Sequence, residues 1–239
     1  HTRFCLSRGL GDVYKRQDIE RWTKEMSGTR NLLRRFANIT GFISGVRVPY
    51  LRLGGDIQFD MMEKEGFLYD SSILAPYSRP PMWPYTLHHN IPHRCVGSQK
   101  CPERSHAIWE MVMNRMDGHC TIDCGQEKGD EKIISGEKFY EFLEENFQRH
   151  YKFNKAPFAI YRHWESLENN KEALDSLLRW IDDTLAKHDD VYFVTMTQVI
   201  SWMKKPQPVS ELKNFEPWKE KCSSETPLST PPCEKINLC

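Results

Sequence analysis

No apolar run in this chain approaches the roughly 18 residues that a membrane-spanning helix needs, so no bilayer-crossing segment is expected. Basic charge is not in excess either, since Lys plus Arg and Asp plus Glu both total 33. A nucleic-acid binder gathers positive charge against phosphates, and that partner class is disfavoured. Internal repeats are missing, which excludes a repeat array, and low complexity is confined to 223–232. What remains is a chain of 239 residues with 39% hydrophobic and 28% charged side chains, enough for one soluble domain with its own core and short for two.

The first 17 positions read as something other than native protein. Ser7 to Gln17 back-translates without conflict into a transposase adapter of sequencing libraries, and His1-Thr2-Arg3 fits the primer that precedes it, with Phe4 to Leu6 at the index. Setting positions 1–17 aside removes four basic residues and one acidic one from 33 of each, which leaves 29 against 32 and a slightly acidic remainder. The expected organisation is a non-native segment at 1–17, a domain at 18–205, and a polar, Pro-containing tail at 206–239 held to the domain by its cysteines.

Eight cysteines are present, and beyond Cys5 they are Cys95, Cys101, Cys120, Cys124, Cys222, Cys233 and Cys239. They lie in loop-like stretches with Pro and Gly rather than on apolar helical faces, so disulfides and an oxidising compartment are the favoured reading. A metal site is the weaker alternative, because Cys120-x3-Cys124 has no second Cys or His pair at finger-like spacing. Asn38-Ile39-Thr40 is a glycosylation sequon that fits secretion.

Apolar residues near helical spacing predict an amphipathic helix over 18–38, with Ile19, Trp22, Met26, Leu32, Leu33 and Phe36 facing inward. A short buried strand follows at 41–48. Gly54-Gly55 opens a second helix that turns Ile57, Phe59, Met61 and Met62 inward and stops at Gly66, and 67–69 is the next strand, ending at Asp70-Ser71-Ser72. The insertion 73–130 is rich in Pro, His, Arg and Cys and carries one strand at 107–113; loops of that length are functional or covalently pinned. Helices are then expected at 135–151 and 169–187 and strands at 157–161 and 191–194. A last helix follows Thr195, whose spacing to Gln198 is that of a capping box. Alternating strands and helices imply an α/β fold, with mainly parallel strands covered by helices.

In such folds chemistry gathers at the C-terminal ends of the strands. Three expected strand ends carry unusual residues: Arg47 before the Pro49-Tyr50 bend, Asp70 before Ser71-Ser72, and His163 after the apolar run 157–161. Each has a structural explanation of its own: an ion pair for Arg47, a turn cap for Asp70, a satisfied strand-end ring for His163. Their occurrence together, in βα order, points to one shared cleft.

The ordered set Arg47-x-Pro49-Tyr50, Tyr69-Asp70-Ser71-Ser72-Ile73, Trp83-Pro84-Tyr85, Ile160-x-x-His163 and the stretch from Asp190 to Ile200 resembles the arthropod chitin deacetylases, polysaccharide deacetylases of carbohydrate esterase family four. The resemblance extends over nearly all of 18–239, and within the family it is greatest to the single-domain, gut-expressed type. It implies a distorted (β/α) barrel of the polysaccharide deacetylase type, incomplete at its N-terminal side, with 18–205 as a partial catalytic domain. The implied reaction is metal-dependent hydrolysis of the N-acetyl groups of chitin to chitosan and acetate. A divalent cofactor, zinc first, would be held by residues of two motifs, Thr-Phe-Asp-Asp and His-Ser/Thr-x-x-His. Neither motif occurs in the chain, so the metal ligands and the base are expected upstream and the chain alone is expected to be inactive. His89-Asn90-Ile91-Pro92-His93 has the His-x3-His spacing, but Pro92 disfavours the helix that would put both rings on one face, and a loop histidine or a sugar contact is the better reading.

By the same resemblance, the Tyr50 N–H would donate to the oxyanion, Pro49 would fix the bend that aims it, and Arg47 would keep the absent base charged. His163 would be the general acid to the leaving amine, a role its near-neutral titration suits. Asp70 would orient His163, and Trp83 would wall an acetyl pocket, with a core aromatic as its alternative. The expected partner is chitin or a chitin oligosaccharide, met by a secreted, extracellular monomer in the gut-lining matrix, without nucleic acid or membrane. A secreted chitin-binding pseudoenzyme is the alternative, retaining chitin without releasing acetate; an intracellular binding domain with reduced thiols is a third reading.

Overall fold

The computed structural model describes residues 18–37, 39, 43–97, 99–116, 136–161, 167–168 and 170–219. Asp18 starts the first helix, α1 (Ile19–Phe36): its carboxylate accepts from the Arg21 N–H at 2.9 Å. Glu20 in the first turn and Arg34 and Arg35 in the last complement the helix dipole. Trp22 is buried against Gly54, where any Cβ would collide with the indole. Arg30 is drawn inward too: Nη1 donates to the Glu65 carbonyl at 2.9 Å, and the guanidinium lies over the Phe67 ring.

The partner of α1 is α2 (Asp56–Lys64), which begins after Gly55 and ends before Gly66, both at positive φ. Phe59, Met61 and Met62 are fully buried as expected, while Ile57, in the first turn, is exposed. With nine residues against the 18 of α1, α2 covers only half of its length. Leu32 and Phe36, expected inside, are therefore exposed at 40% and 62%.

Among the described residues, four short strands form one sheet in the order β1-β2-β4-β3: β1 (Gly45–Val46), β2 (Tyr69–Asp70), β3 (Tyr85–Thr86) and β4 (Trp109–Glu110). β1, β2 and β4 are parallel, and β3 is antiparallel to β4. Hydrogen bonds run on past these bounds, from the Leu68 N–H to the Ser44 carbonyl at 2.7 Å and from the Met113 N–H to the Ile73 carbonyl at 3.0 Å. This is the α/β class expected, with β2 shifted slightly beyond 67–69. The stretches 157–161 and 191–194 are not strands. Phe158, Ile160 and Val191 pack on an aromatic core instead. An apolar run signals burial, whereas a strand also needs a neighbour for its backbone groups.

That second core lies between α3 (Gly136–Phe153) and α4 (Lys171–Lys187), which contribute Phe139, Phe142, Leu143, Phe147, Ala173 and Trp180. Arg149 ties α3 to the sheet side, donating to the Ser78 and Arg115 carbonyls at 3.2 and 2.6 Å. The last helix, α5 (Met196–Lys204), starts with both bonds of the expected capping box. After it, Trp218 folds back and donates Nε1–H to the Gln198 carbonyl at 2.9 Å. The tail cysteines Cys222, Cys233 and Cys239 lie outside the described residues.

Candidate functional site

Where β1 ends, Arg47 leaves the sheet and is held by its neighbour strand. Nε donates to the Ser71 carbonyl and Nη2 to Ser71 Oγ, both at 2.7 Å, and the guanidinium stacks 4.2 Å from the centre of the Tyr161 ring. Pro49 opens a single helical turn (Pro49–Leu51), a place its fixed φ suits. Tyr50 and Leu51 then sit at φ of 55° and 53°, a region unusual for residues with side chains and costing on the order of 1 kcal/mol each. The Tyr50 side chain is 64% exposed.

A set of buried polar groups holds this turn. The Val48 N–H donates to Ser72 Oγ at 2.9 Å, and Ser72 Oγ donates to Asp70 Oδ1 at 3.0 Å. Gln99 Nε2 donates to the Leu51 and Ser72 carbonyls at 3.0 and 2.8 Å, while its Oε1 accepts from the Leu74 N–H. On the other side, Gln58 accepts from the Gly54 N–H at 2.9 Å and donates to Asp70 Oδ1 at 3.0 Å. Cys95 and Cys101 are joined in a disulfide that closes the loop carrying Gln99. The covalent loop and two glutamines thus brace one turn whose backbone would otherwise relax.

Behind it, Asp70 and Glu110 are paired in register on β2 and β4, both fully buried. Burial, opposed by bonds from Glu110 and Ser72, pushes the Asp70 carboxyl up to about 6. Burial and the facing Asp70 raise Glu110 well above the carboxylate range. Glu110 Oε1 accepts from the Ile73 N–H at 3.1 Å, and Oε2 accepts nothing. A proton shared between the Glu110 and Asp70 carboxyls relieves their repulsion. Both Asp70 oxygens are already engaged by Gln58 and Ser72, so Asp70 acts on the Val48–Tyr50 turn through Ser72.

Trp83 is half-buried, donating Nε1–H to the Asn154 carbonyl at 3.1 Å and stacking on Trp202 with ring centres 5.9 Å apart. His89 and His93 do not meet as a pair: His89 packs on His88, whereas His93 bonds the Tyr85 hydroxyl at 2.9 Å. His163, Asn38, Cys120 and Cys124 lie outside the described residues.

Among the described residues, Asp60, Glu63 and His106 form a group able to hold a metal ion, their candidate ligand atoms within 4.8 Å of one another. Burial opposes ionisation of neighbouring Asp56, yet hydrogen bonds from Arg104, His106 and Glu103 hold its pKa below the ordinary carboxylate value. This group does not fit a metal acting beside Arg47. His106 precedes β4, whereas Arg47 and Ser71 follow the parallel strands β1 and β2, so the two lie at opposite strand ends.

Sequence reasoning overlooked Gln58, Gln99, Glu110 and Tyr161. Two of them carried a signal: Gln58 stands among inward-facing positions of α2, and Glu110 interrupts an apolar strand. Gln99 carried none, since only the folded loop brings it to Leu51.

No protein-family model matches the chain. It is similar to chitin deacetylase 1 of Bombyx mori, 51% identical over 216 residues, which are 87% of this chain and 40% of the relative. It is also 29% identical to chitin deacetylase 8 of Bombyx mori over 196 residues, 80% of this chain and 51% of the relative. The chain thus spans about half or less of the curated relatives it matches.

Proposed function

We propose that this relative of the arthropod chitin deacetylases is part of a secreted, extracellular enzyme that hydrolyses N-acetyl groups of chitin, leaving chitosan and acetate. The fold would be the family's distorted barrel, completed by strands beyond those described, with Ser44 and Thr197, 3.2 Å apart, bringing the last helix to the first strand. The observation that carries the reading is the braced turn after Arg47, with Tyr50 at positive φ at the end of a parallel strand.

An amide carbonyl resists water, so the site must stabilise the charge that forms on its oxygen as the C–O bond is made. The Tyr50 N–H donates to that oxygen, and Pro49, Ser72 and Gln99 keep it aimed. Asp70 is a positioning residue for the same turn. Arg47 supplies fixed positive charge at the strand end, which favours the carboxylate form of the base. His163 gives its proton to the departing amine as the C–N bond breaks, and acetate leaves. Trp83 forms a wall of the acetyl pocket. The family's divalent metal activates the water when bound; the residues described around Arg47 offer no ligand set for it, and its ligands and the base belong to sequence beyond this segment.

The test is acetate release from a chitin oligosaccharide by the full-length protein. His163→Ala is expected to lower kcat by at least about 100-fold with KM little changed. Near-normal release would remove His163 as the acid.

A further inference from the structure

We propose that Asp60, Glu63 and His106 bind a divalent transition-metal cation of the zinc or manganese kind, which clips α2 to the segment entering β4. Asp56, Asp60 and Glu63 are spaced i, i+4 and i+7 on α2 and so share one face. His106 enters that face from the other segment and is 1% exposed.

The geometry on the two ring nitrogens differs. Nε2 lies 3.0 Å from Asp56 Oδ1. A carboxylate only accepts, so Nε2 carries a proton, and in the neutral ring Nδ1 is left with its lone pair. That nitrogen faces two more acceptors, Glu63 Oε2 at 3.5 Å and Asp60 Oδ1 at 3.8 Å. These separations are long for hydrogen bonds. They match instead the edge of a coordination polyhedron: two ligands at about 2.1 Å from a tetrahedral ion stand about 3.4 Å apart.

The outer oxygens of both carboxylates are already fixed. Arg104 Nη2 donates to Asp60 Oδ2 at 2.7 Å, and the Ala107 N–H donates to Glu63 Oε1. Each candidate ligand is therefore oriented by a partner on its far side, as bound metals require, with Asp56 doing this for the ring. Charge points the same way. Three carboxylates face one guanidinium; a proton on His106 would leave the cluster at −1, whereas a divalent ion beside a neutral ring makes it neutral. Asp60 and Glu63 are about one-third exposed, which leaves an open side for water to complete the coordination. One imidazole with two carboxylates suits zinc or manganese, while calcium and magnesium take oxygen shells. The site is independent of the deacetylase reading.

The full chain, stripped with chelator, is titrated with zinc and then manganese by calorimetry, with thermal unfolding in parallel. A single site is expected, on the order of micromolar, with a Tm that rises with free metal. Glu63→Gln and Asp60→Asn, both at partly exposed positions, are expected to weaken it at least about tenfold and Asp56→Asn by about ten- to a hundredfold. His88→Ala with His89→Ala is expected to change nothing. Manganese should broaden the His106 ring resonances selectively. Absence of binding at millimolar metal, binding unchanged by Glu63→Gln and Asp60→Asn, or binding lost in the His88/His89 variant would each overturn the proposal.

Discussion

The core under the sheet and the core between α3 and α4 are built to different ends. The first combines Trp22, Phe59 and Phe67 and a majority of aliphatic and Met side chains with fully buried Gln58, Asp70, Ser72 and Glu110. The second is a cluster of stacked and edge-on rings centred on Phe147, which touches Tyr151, Phe158, Trp180 and His188. Buried carboxyls cost stability unless every lone pair is met, yet they fix a strand end and a strained turn that apolar groups could not hold. Ring packing fixes no particular functional atom but supplies stability outright. The sheet half therefore carries the exposed turn after Arg47, and the helical half is tied to it through Arg149 and Asn154.

The strongest attempt to break this comparison is Phe147→Ala, expected to cost about 3–5 kcal/mol in urea unfolding. A loss no larger than for a surface residue would show that the aromatic cluster is not the reservoir of stability.

Acidity separates the two halves by sign. In the helical half, burial presses His150 down to about 4, although its Nδ1–H is accepted by the Ala156 carbonyl. The folded state then binds fewer protons than the unfolded one between about 4 and 6.5, so stability is complete above 6.5 and falls by up to about 3 kcal/mol as pH drops towards 4. Asp70 runs the other way. With its pKa raised from 3.8 to about 6, its contribution is complete below 3.8 and is lost as pH rises through 6. Unfolding curves from pH 3.5 to 8 should show His150→Gln flattening the acid-side loss and Asp70→Asn flattening the opposite slope. Slopes of the same sign in both variants would erase the distinction.

The smallest effect concerns the brace itself. Gln99→Ala is expected to cost about 1–2 kcal/mol and to speed amide exchange at Leu74 and through 50–52, with reduction of the Cys95–Cys101 bridge acting in the same direction. Unchanged exchange at those amides would remove Gln99 from the brace.

Much of the fold could be read from periodicity and capping. Asp18, Gly55, Gly66 and the Thr195–Gln198 pair mark helix ends because local backbone chemistry decides them. The strand expectations at 157–161 and 191–194 failed because burial was legible and pairing was not. The inward face of α1 failed at Leu32 and Phe36 because the length of a partner helix is a property of another segment. At the candidate site, Arg47, Pro49, Tyr50 and Asp70 were singled out from short motifs. The support of Arg47 and of the turn after it comes from Ser71, 24 positions from Arg47, and from Gln99, 48 positions from Leu51, which no local pattern foretells.

The central claim, that the strand-end site around Arg47 and Tyr50 serves N-deacetylation, is tested most directly by measuring acetate release and chitin retention side by side. The full-length protein is compared with its Arg47→Ala variant. Release by the parent, a fall of at least about 100-fold in the variant, and retention unchanged in both are predicted. Retention without acetate from the parent, or equal release from the two proteins, would contradict it.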